Sequence, residues 1–408
     1  MPEGKICYNL NKKEFSWKGC REMIELLPEN DPVSALRFLL LEAVNREVSD
    51  IHIEPMDRDC CVRFRIGGDL SECFHFSQSL MKGLQVRIKV VAGMDIGESR
   101  RPQDGSFSRV FSGRLFDFRV SFLPTIYGES IVIRVLSGHI DFIEENRLGM
   151  TEEQEFLFRQ VLANKSGLVL ACGPTGSGKT STLYAALRLV STPKVKVISI
   201  EDPVEYHMAG VTQVEVNEKS GLTFAKGLRA VVRQDPDILM VGEIRDRETA
   251  DIAVEAALTG HLVLSSLHTA SVAAAAVRLQ DMGIPAYLLA SALSLVMAQR
   301  LVRDISSVEK RGIFITKEIQ RKLFLPEAFI GKKGYQCVGD APMKRRGIFE
   351  MLAMNDVEKK GIYEGKSEGE LTELMQRLGH RTLKELAVDA MEKGEISMSE
   401  AAVVYENG

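Results

Sequence analysis

Residues Gly173, Pro174, Thr175, Gly176, Ser177, Gly178, Lys179 and Thr180, followed by Ser181, spell G-x-x-x-x-G-K-[ST], a spacing with a specific chemical use. Its glycines let the chain curl so that successive backbone N–H groups point inward at phosphate oxygens. Lys179 then reaches the β and γ phosphates, the Thr180 hydroxyl ligates Mg²⁺, and the following helix turns its positive end toward the same anion. The expectation is a nucleotide-binding loop over 173–181. The loop by itself leaves ATPases, GTPases and kinases open, and a plain glycine-rich turn is its bland counterpart.

Acidic positions beyond the loop narrow the choice. Glu243 closely follows the apolar run 238–241, where the metal-binding strand of such enzymes delivers a carboxylate. Gly242 takes the place of the usual aspartate, leaving Glu243 to orient or deprotonate the attacking water. Glu201, Asp202 and Glu205 stand at the end of another apolar run, with Pro203 stiffening the turn. His261 and His268 flank the run 262–267. His268, at the end where ligand sites form in α/β sheets, is the better candidate to sense the γ-phosphate. On residue type alone these positions also read as a surface carboxylate, a solvated acidic turn and structural histidines.

Strands and helices must hold these groups. Runs 167–172, 195–200, 238–241 and 262–266 read as buried strands separated by helical patterns, with a helix over 179–189; this is the alternation of a doubly wound α/β sheet. From 259 to 303 the remaining pattern is mostly helical. Ahead of this core, Asp31 and Pro32 cap an amphipathic helix carrying Val33, Leu36, Leu39, Leu40 and Ala43. Segments 50–54, 61–66, 116–122 and 130–136 read as short strands. The expected domains are a short element at 1–30 containing Phe15 and Trp17, a small α+β domain at 31–137, a polar linker at 138–150, a P-loop core at 151–303, an irregular basic insert at 304–346, and a C-terminal region at 347–408 with two or three helices at 355–403.

Composition sets outer limits. A chain of 408 residues with 45% hydrophobic and 26% charged residues is ordinary multidomain globular protein. A net charge of −4 gives no global attraction to a phosphate backbone, so no nucleic-acid partner is expected. Seven cysteines without a C-x-x-C pair fit a reducing cytoplasm. No apolar stretch approaches the roughly 20 residues of a membrane span, so no direct membrane insertion is expected.

Taken together, SDIHIEP (49–55), RPQDG (101–105), GPTGSGKTST (173–182), IEDPVEY (200–206), RQDPDILMVGEIRD (233–246) and TGHLVLSSLHT (259–269) resemble one family, the type II secretion and type IV pilus assembly ATPases of the GspE and PilB type. The resemblance spans about residues 31–403. It implies a RecA-like P-loop ATPase that uses ATP and Mg²⁺, with catalytic roles for Glu201, Glu243 and His268. It also implies a homo-hexameric cytoplasmic ring that works at the inner membrane through a platform protein and moves pilin-like subunits. Arginines of the small domain would complete the nucleotide site, with Arg100, Arg101 and Arg119 as candidates and Arg134 approaching nucleotide.

Departures from the family pattern qualify these implications. Ser106 stands where PQDG is commonly followed by arginine. Many assembly members carry a Cys₄ zinc module, whose places here fall on Val302, Ile305, Gly334 and Cys337. One thiolate cannot build a tetrahedral site, so no zinc site is expected, and the insert should rest on Ile313, Ile315, Leu323, Leu325, Phe329 and Ile330. With about 30 residues ahead of the small domain, the long N-terminal domain of many members is expected to be mostly absent. The alternatives are a retraction ATPase, or a nucleotide-dependent scaffold with weak hydrolysis.

Overall fold

A computed structural model describes residues 31–66, 68–137, 148–217, 220–338 and 344–407. The chain divides into two compact units, with the boundary between His139 and Ile140. The expected element at 1–30, and most of the expected linker at 138–150, lie outside the described residues.

In the first unit the Asp31 carboxylate accepts from the Val33 N–H at 3.0 Å and Pro32 occupies the first turn of helix α1 (Pro32–Asn45). Proline there lacks only an N–H that the helix would leave unbonded. Strands β1 (Asp50–Pro55), β2 (Asp59–Ile66) and β3 (Asp69–Ser77) precede helix α2 (Gln78–Val91). Strands β4 (Gln103–Phe111), β5 (Arg114–Thr125) and β6 (Gly128–Ser137) complete an antiparallel sheet of order β3-β2-β1-β6-β5-β4. Alternate residues Ile51, Ile53, Val62, Phe64, Phe118, Val120, Ile131 and Ile133 are buried in one core with Leu36 and Leu39 of α1 and Leu84 and Ile88 of α2. Each such side chain contributes about 1.5–3 kcal/mol by leaving water. The intervening residues, among them Asp50, His52, Arg119 and Arg134, belong to the other face of the sheet. The sequence reading missed β3, β4 and α2. Strand β4 is a largely exposed edge strand with only Phe107 buried, so it carries no apolar alternation to detect.

The second unit runs α3 (Glu152–Leu162), β7 (Gly167–Cys172), α4 (Lys179–Val190), β8 (Val197–Glu201), β9 (Val211–Glu215), α5 (Phe224–Val232), β10 (Ile238–Val241), α6 (Arg247–Leu258), β11 (Leu262–Leu267), α7 (Val272–Asp281), α8 (Ala286–Ala292) and β12 (Leu293–Arg303). The hairpin β13 (Lys310–Phe314) and β14 (Lys333–Cys337) encloses helix α9 (Lys317–Lys322). Strand β15 (Arg345–Ala353) leads to α10 (Asp356–Tyr363), α11 (Glu368–Arg377), α12 (Leu383–Glu392) and α13 (Met398–Asn407). Seven strands form a sheet of order β15-β12-β7-β11-β10-β8-β9, parallel except for the β12–β15 pair. Leu168 and Leu170 of β7 enter the core on one face, while Val169 and Ala171 enter the core on the other. A sheet covered on both faces reads as a continuous apolar run, as 167–172 does.

Several expectations are corrected here. Residues 293–303 are a strand rather than part of a helical stretch: β12 pairs with β7 and β15 and is buried along nearly its whole length. An apolar run buried on both faces has no period-two signal to separate it from helix. The C-terminal region has four helices rather than two or three. The insert is not irregular, since it contains the β13–β14 hairpin and α9. Of its expected anchors, Ile315, Leu325 and Phe329 are buried in the same core as Leu383 and Met398, whereas Leu323 is exposed.

Candidate nucleotide site

The loop joining β7 to α4 is built from glycine conformations. Gly173, Gly176 and Gly178 take φ of 148°, 79° and 92°, a region that disfavours other residues. A Cβ on Gly173 would come within 2.5 Å of Ser177 Oγ and 2.7 Å of the Gln299 carbonyl. Gln299 Nε2, from β12, donates to the Ser177 carbonyl at 2.8 Å and so pins the loop from beneath. Pro174, Thr175 and Gly176 are exposed at its crest.

The loop's polar groups fit an anion. Ser177 is 3% exposed, and its Oγ has no hydrogen-bond partner among the described residues. Gly178 begins α4 without a side-chain cap, leaving the first-turn N–H groups unclaimed by a side chain. Lys179 Nζ donates to the Gly173 and Pro174 carbonyls at 2.8 and 3.0 Å, contacts that a phosphate oxygen can replace. Burial pulls the Lys179 pKa down, and Glu243 opposes that shift. Thr180 is exposed on the first turn, beside half-buried Ser181, where a hydroxyl can ligate a cation held against phosphate.

Parallel strands bring the acidic and imidazole groups to the same end of the sheet. Glu243 lies just past β10, and His268 just past β11. His268 Nε2 stands 3.4 Å from Glu243 Oε2, while Arg245 Nη2 donates to Glu243 Oε1 at 2.6 Å. Burial acts to raise the Glu243 pKa. Arg245, His268 and Lys179 outweigh it and hold the carboxyl below its ordinary range. Arg245 Nη1 also lies 3.5 Å from Asp202. The result is an ionised carboxylate facing cations.

Glu201 has a different setting. It is 3% exposed; Ser199 Oγ donates to its Oε1 at 2.6 Å, Gln213 Nε2 donates to the same oxygen at 3.3 Å, and the Tyr184 hydroxyl donates to Oε2. Tyr184 belongs to α4, so Glu201 ties the helix that follows the loop to β8. The carboxylate is saturated by donors, which suits positioning better than proton abstraction.

A cavity of about 600 Å³ opens beside the loop, bordered by Pro174, Thr175, His268, Arg300, Val403 and Val404. Its mixed apolar and polar lining is suited to a heterocyclic base. Another cavity, of about 620 Å³, lies at the far end of the sheet near Gly260 and Leu262, away from the strand ends where ligands collect in such folds.

In the first unit, Arg119 on β5 lies opposite Ser106 of β4 on one side and Arg134 of β6 on the other. Arg134 Nε donates to Asp50 Oδ1 at 3.0 Å. Arg101 is on the loop before β4, its Nε 4.0 Å from Glu98. Arg119 and Arg134 are therefore neighbours on one sheet face, whereas Arg101 does not lie on a strand of that sheet.

Residues 29–403 match the family model described as type II/IV secretion system protein. The chain belongs to the type II/IV secretion ATPase family. Within it, the chain is 40% identical over 391 residues to type II secretion system protein E of Xanthomonas campestris pv. campestris, covering 94% of this chain and 69% of that one. It is 41% identical over 384 residues to the type IV pilus assembly ATPase PilB of Thermus thermophilus, covering 91% of this chain and 43% of that one. Among solved structures, the ADP-bound pilus retraction motor PilT superposes with a TM-score of 0.65 at 26% identity, covering 90% of this chain and 95% of that one. The fold of the Legionella pneumophila ATPase DotB is also alike, with a TM-score of 0.69 at 21% identity, 93% of this chain and 98% of that one. No helix among the described residues is long and apolar enough to cross a membrane.

Sequence reasoning on this secretion ATPase chain overlooked Arg245, Tyr184, Ser199, Gln213 and Gln299. Gln299 did carry a signal, because it is the first polar residue after the apolar run 292–298, whose only hydroxyl is Ser294. Tyr184 and Gln213 carried none, since their contacts join segments distant in sequence.

Proposed function

We propose that this chain is a Mg²⁺-dependent motor ATPase that hydrolyses ATP to ADP and phosphate. We place it in a homo-hexameric ring at the cytoplasmic face of the inner membrane, where it drives assembly of pilin-like subunits through a platform protein in a type II secretion, type IV pilus or competence-type machine. The observation that carries the reading is the Glu243 carboxylate held by Arg245 and His268 at the sheet end that also carries the glycine-rich loop. Lys179 and the loop N–H groups bind the phosphates, with Ser177 and Ser181 as further hydroxyl donors. Thr180 holds Mg²⁺, which supplies charge neutralisation at the phosphates when bound. Glu243 orients the attacking water and accepts its proton. His268 adjoins Glu243 and the cavity, and reports the γ-phosphate. Glu201 positions α4 through Tyr184.

Arg119 and Arg134 are proposed to meet developing phosphate charge at the site of an adjacent subunit. Identity of 40–41% to protein E and PilB, against 26% to PilT, favours assembly over retraction. Nucleic acid has no place in this reading. The test is ATPase rate per subunit against protein concentration, with and without Mg²⁺. The rate should rise with concentration and vanish on Mg²⁺ removal, and Arg119→Ala should lower kcat more than it weakens binding. A rate per subunit that stays flat across the oligomerisation range would overturn the shared site.

A further inference from the structure

We propose that Cys61, Glu72 and His75 form a binding site for one divalent cation of the zinc class on the first unit's sheet, with Asp59 orienting His75. Ligand atoms of the three side chains all lie within 4.8 Å of one another, the sole such grouping of metal-ligating side chains among the described residues. The strands are arranged to make it so. Cys61 of β2 and His75 of β3 are directly opposed in register, and a bulge follows, so that Phe74 pairs with Val62 and Glu72 with Arg63 while Cys73 is skipped. Without the extra residue Glu72 would face the core; the bulge returns it to the face that carries His75.

The donor set is chemically selective. Thiolate and imidazole with one carboxylate favour Zn²⁺ over Mg²⁺ or Ca²⁺. Cys61 is 2% exposed and not in a disulfide, so its sulfur forms the floor of the site, whereas Glu72 and His75 are exposed and can adjust. His75 Nε2 lies 2.8 Å from Glu72 Oε1, and His75 Nδ1 lies 2.8 Å from Asp59 Oδ2. The second contact is the carboxylate–histidine relay that fixes a ligating imidazole. Bonds of about 2.0–2.3 Å in a tetrahedral site separate donors by about 3.3–3.6 Å, so Glu72 and His75 need to part by less than about 1 Å. On binding, the Cys61 thiol proton and any proton on His75 Nε2 leave to solvent. Water takes the fourth position. Since β3 is the sheet's edge strand, the cation would clip that edge to β2. Unlike the four family positions between 302 and 337, cross-strand neighbours such as Cys61 and His75 have no motif spacing.

The experiment is titration of the chelator-treated full chain with Co²⁺ and then Zn²⁺, following the thiolate-to-cobalt charge-transfer band and the thermal midpoint. The wild-type chain should show one equivalent of Co²⁺ with that band, its displacement by Zn²⁺, and a raised midpoint. Cys61→Ser and His75→Gln should abolish the band, Asp59→Asn should weaken binding about 10–100-fold, and Cys337→Ser should change nothing. His75→Gln, at an exposed position, keeps the test decisive should Cys61→Ser fail to fold. No band in the wild type, or a band that survives His75→Gln or is lost in Cys337→Ser, would show only an ion pair at this place and overturn the proposal.

Discussion

His268 Nε2 stands 3.4 Å from Glu243 Oε2, bridging the ends of β11 and β10. The imidazole is thus tied to the carboxylate proposed to handle water, rather than to the phosphate loop. His268→Ala should lower kcat by about 10²-fold, the low end of the span for a group that aids proton transfer, while changing ATP affinity little. Steady-state kinetics and nucleotide titration on the same variant check the split; an equal fall in affinity would mean that His268 acts by holding the nucleotide.

Tyr184 is expected to matter for folding more than for chemistry. Its hydroxyl donates to Glu201 Oε2 and accepts from the Tyr206 N–H at 3.3 Å, so Tyr184→Phe leaves a buried carboxylate short of a donor. The cost should be about 1–3 kcal/mol, read as a lower urea midpoint at unchanged slope. A midpoint equal to wild type would mean that the remaining donors, Ser199 and Gln213, suffice.

The glycine-built loop between β7 and α4 and the parallel core are legible in the sequence because each rests on local pattern: glycine spacing for the loop, and short apolar runs for β7, β10 and β11. Glu243 was legible for the same reason, as the carboxylate that follows such a run. Strand β12 was not, since burial on both faces removes the alternation that marks a strand. The setting of Glu201 was also hidden, because the donors from Tyr184 and Gln213 come from elements 17 and 12 residues away. Position in a motif places Glu201 at a strand end, and only its tertiary contacts show that the carboxylate is saturated by donors.

Glu350 offers a pH test of the core. Its carboxylate accepts from the Val272 and Leu383 N–H groups at 3.2 and 3.1 Å, at the starts of α7 and α12. Burial raises its pKa above the ordinary glutamate value despite those donors and Arg300. The folded chain therefore holds this proton more tightly than the unfolded one, and stability falls as pH rises from about 4.5 through the raised value. Glu350→Gln should remove that downward slope, so that wild type loses ground to the variant as pH rises above about 4.5. Urea midpoints across the range check it, and parallel profiles would count against the buried, reluctant charge.

The division of labour between Lys179 and Glu243 is tested most directly by measuring ATP affinity and single-turnover hydrolysis on Lys179→Ala and Glu243→Gln side by side. Lys179→Ala should lose affinity, through removal of a charge-assisted phosphate contact. Glu243→Gln should bind ATP like wild type and hydrolyse it about 10²–10⁴-fold more slowly. Equal losses of affinity in the two variants, or wild-type turnover in Glu243→Gln, would contradict the account.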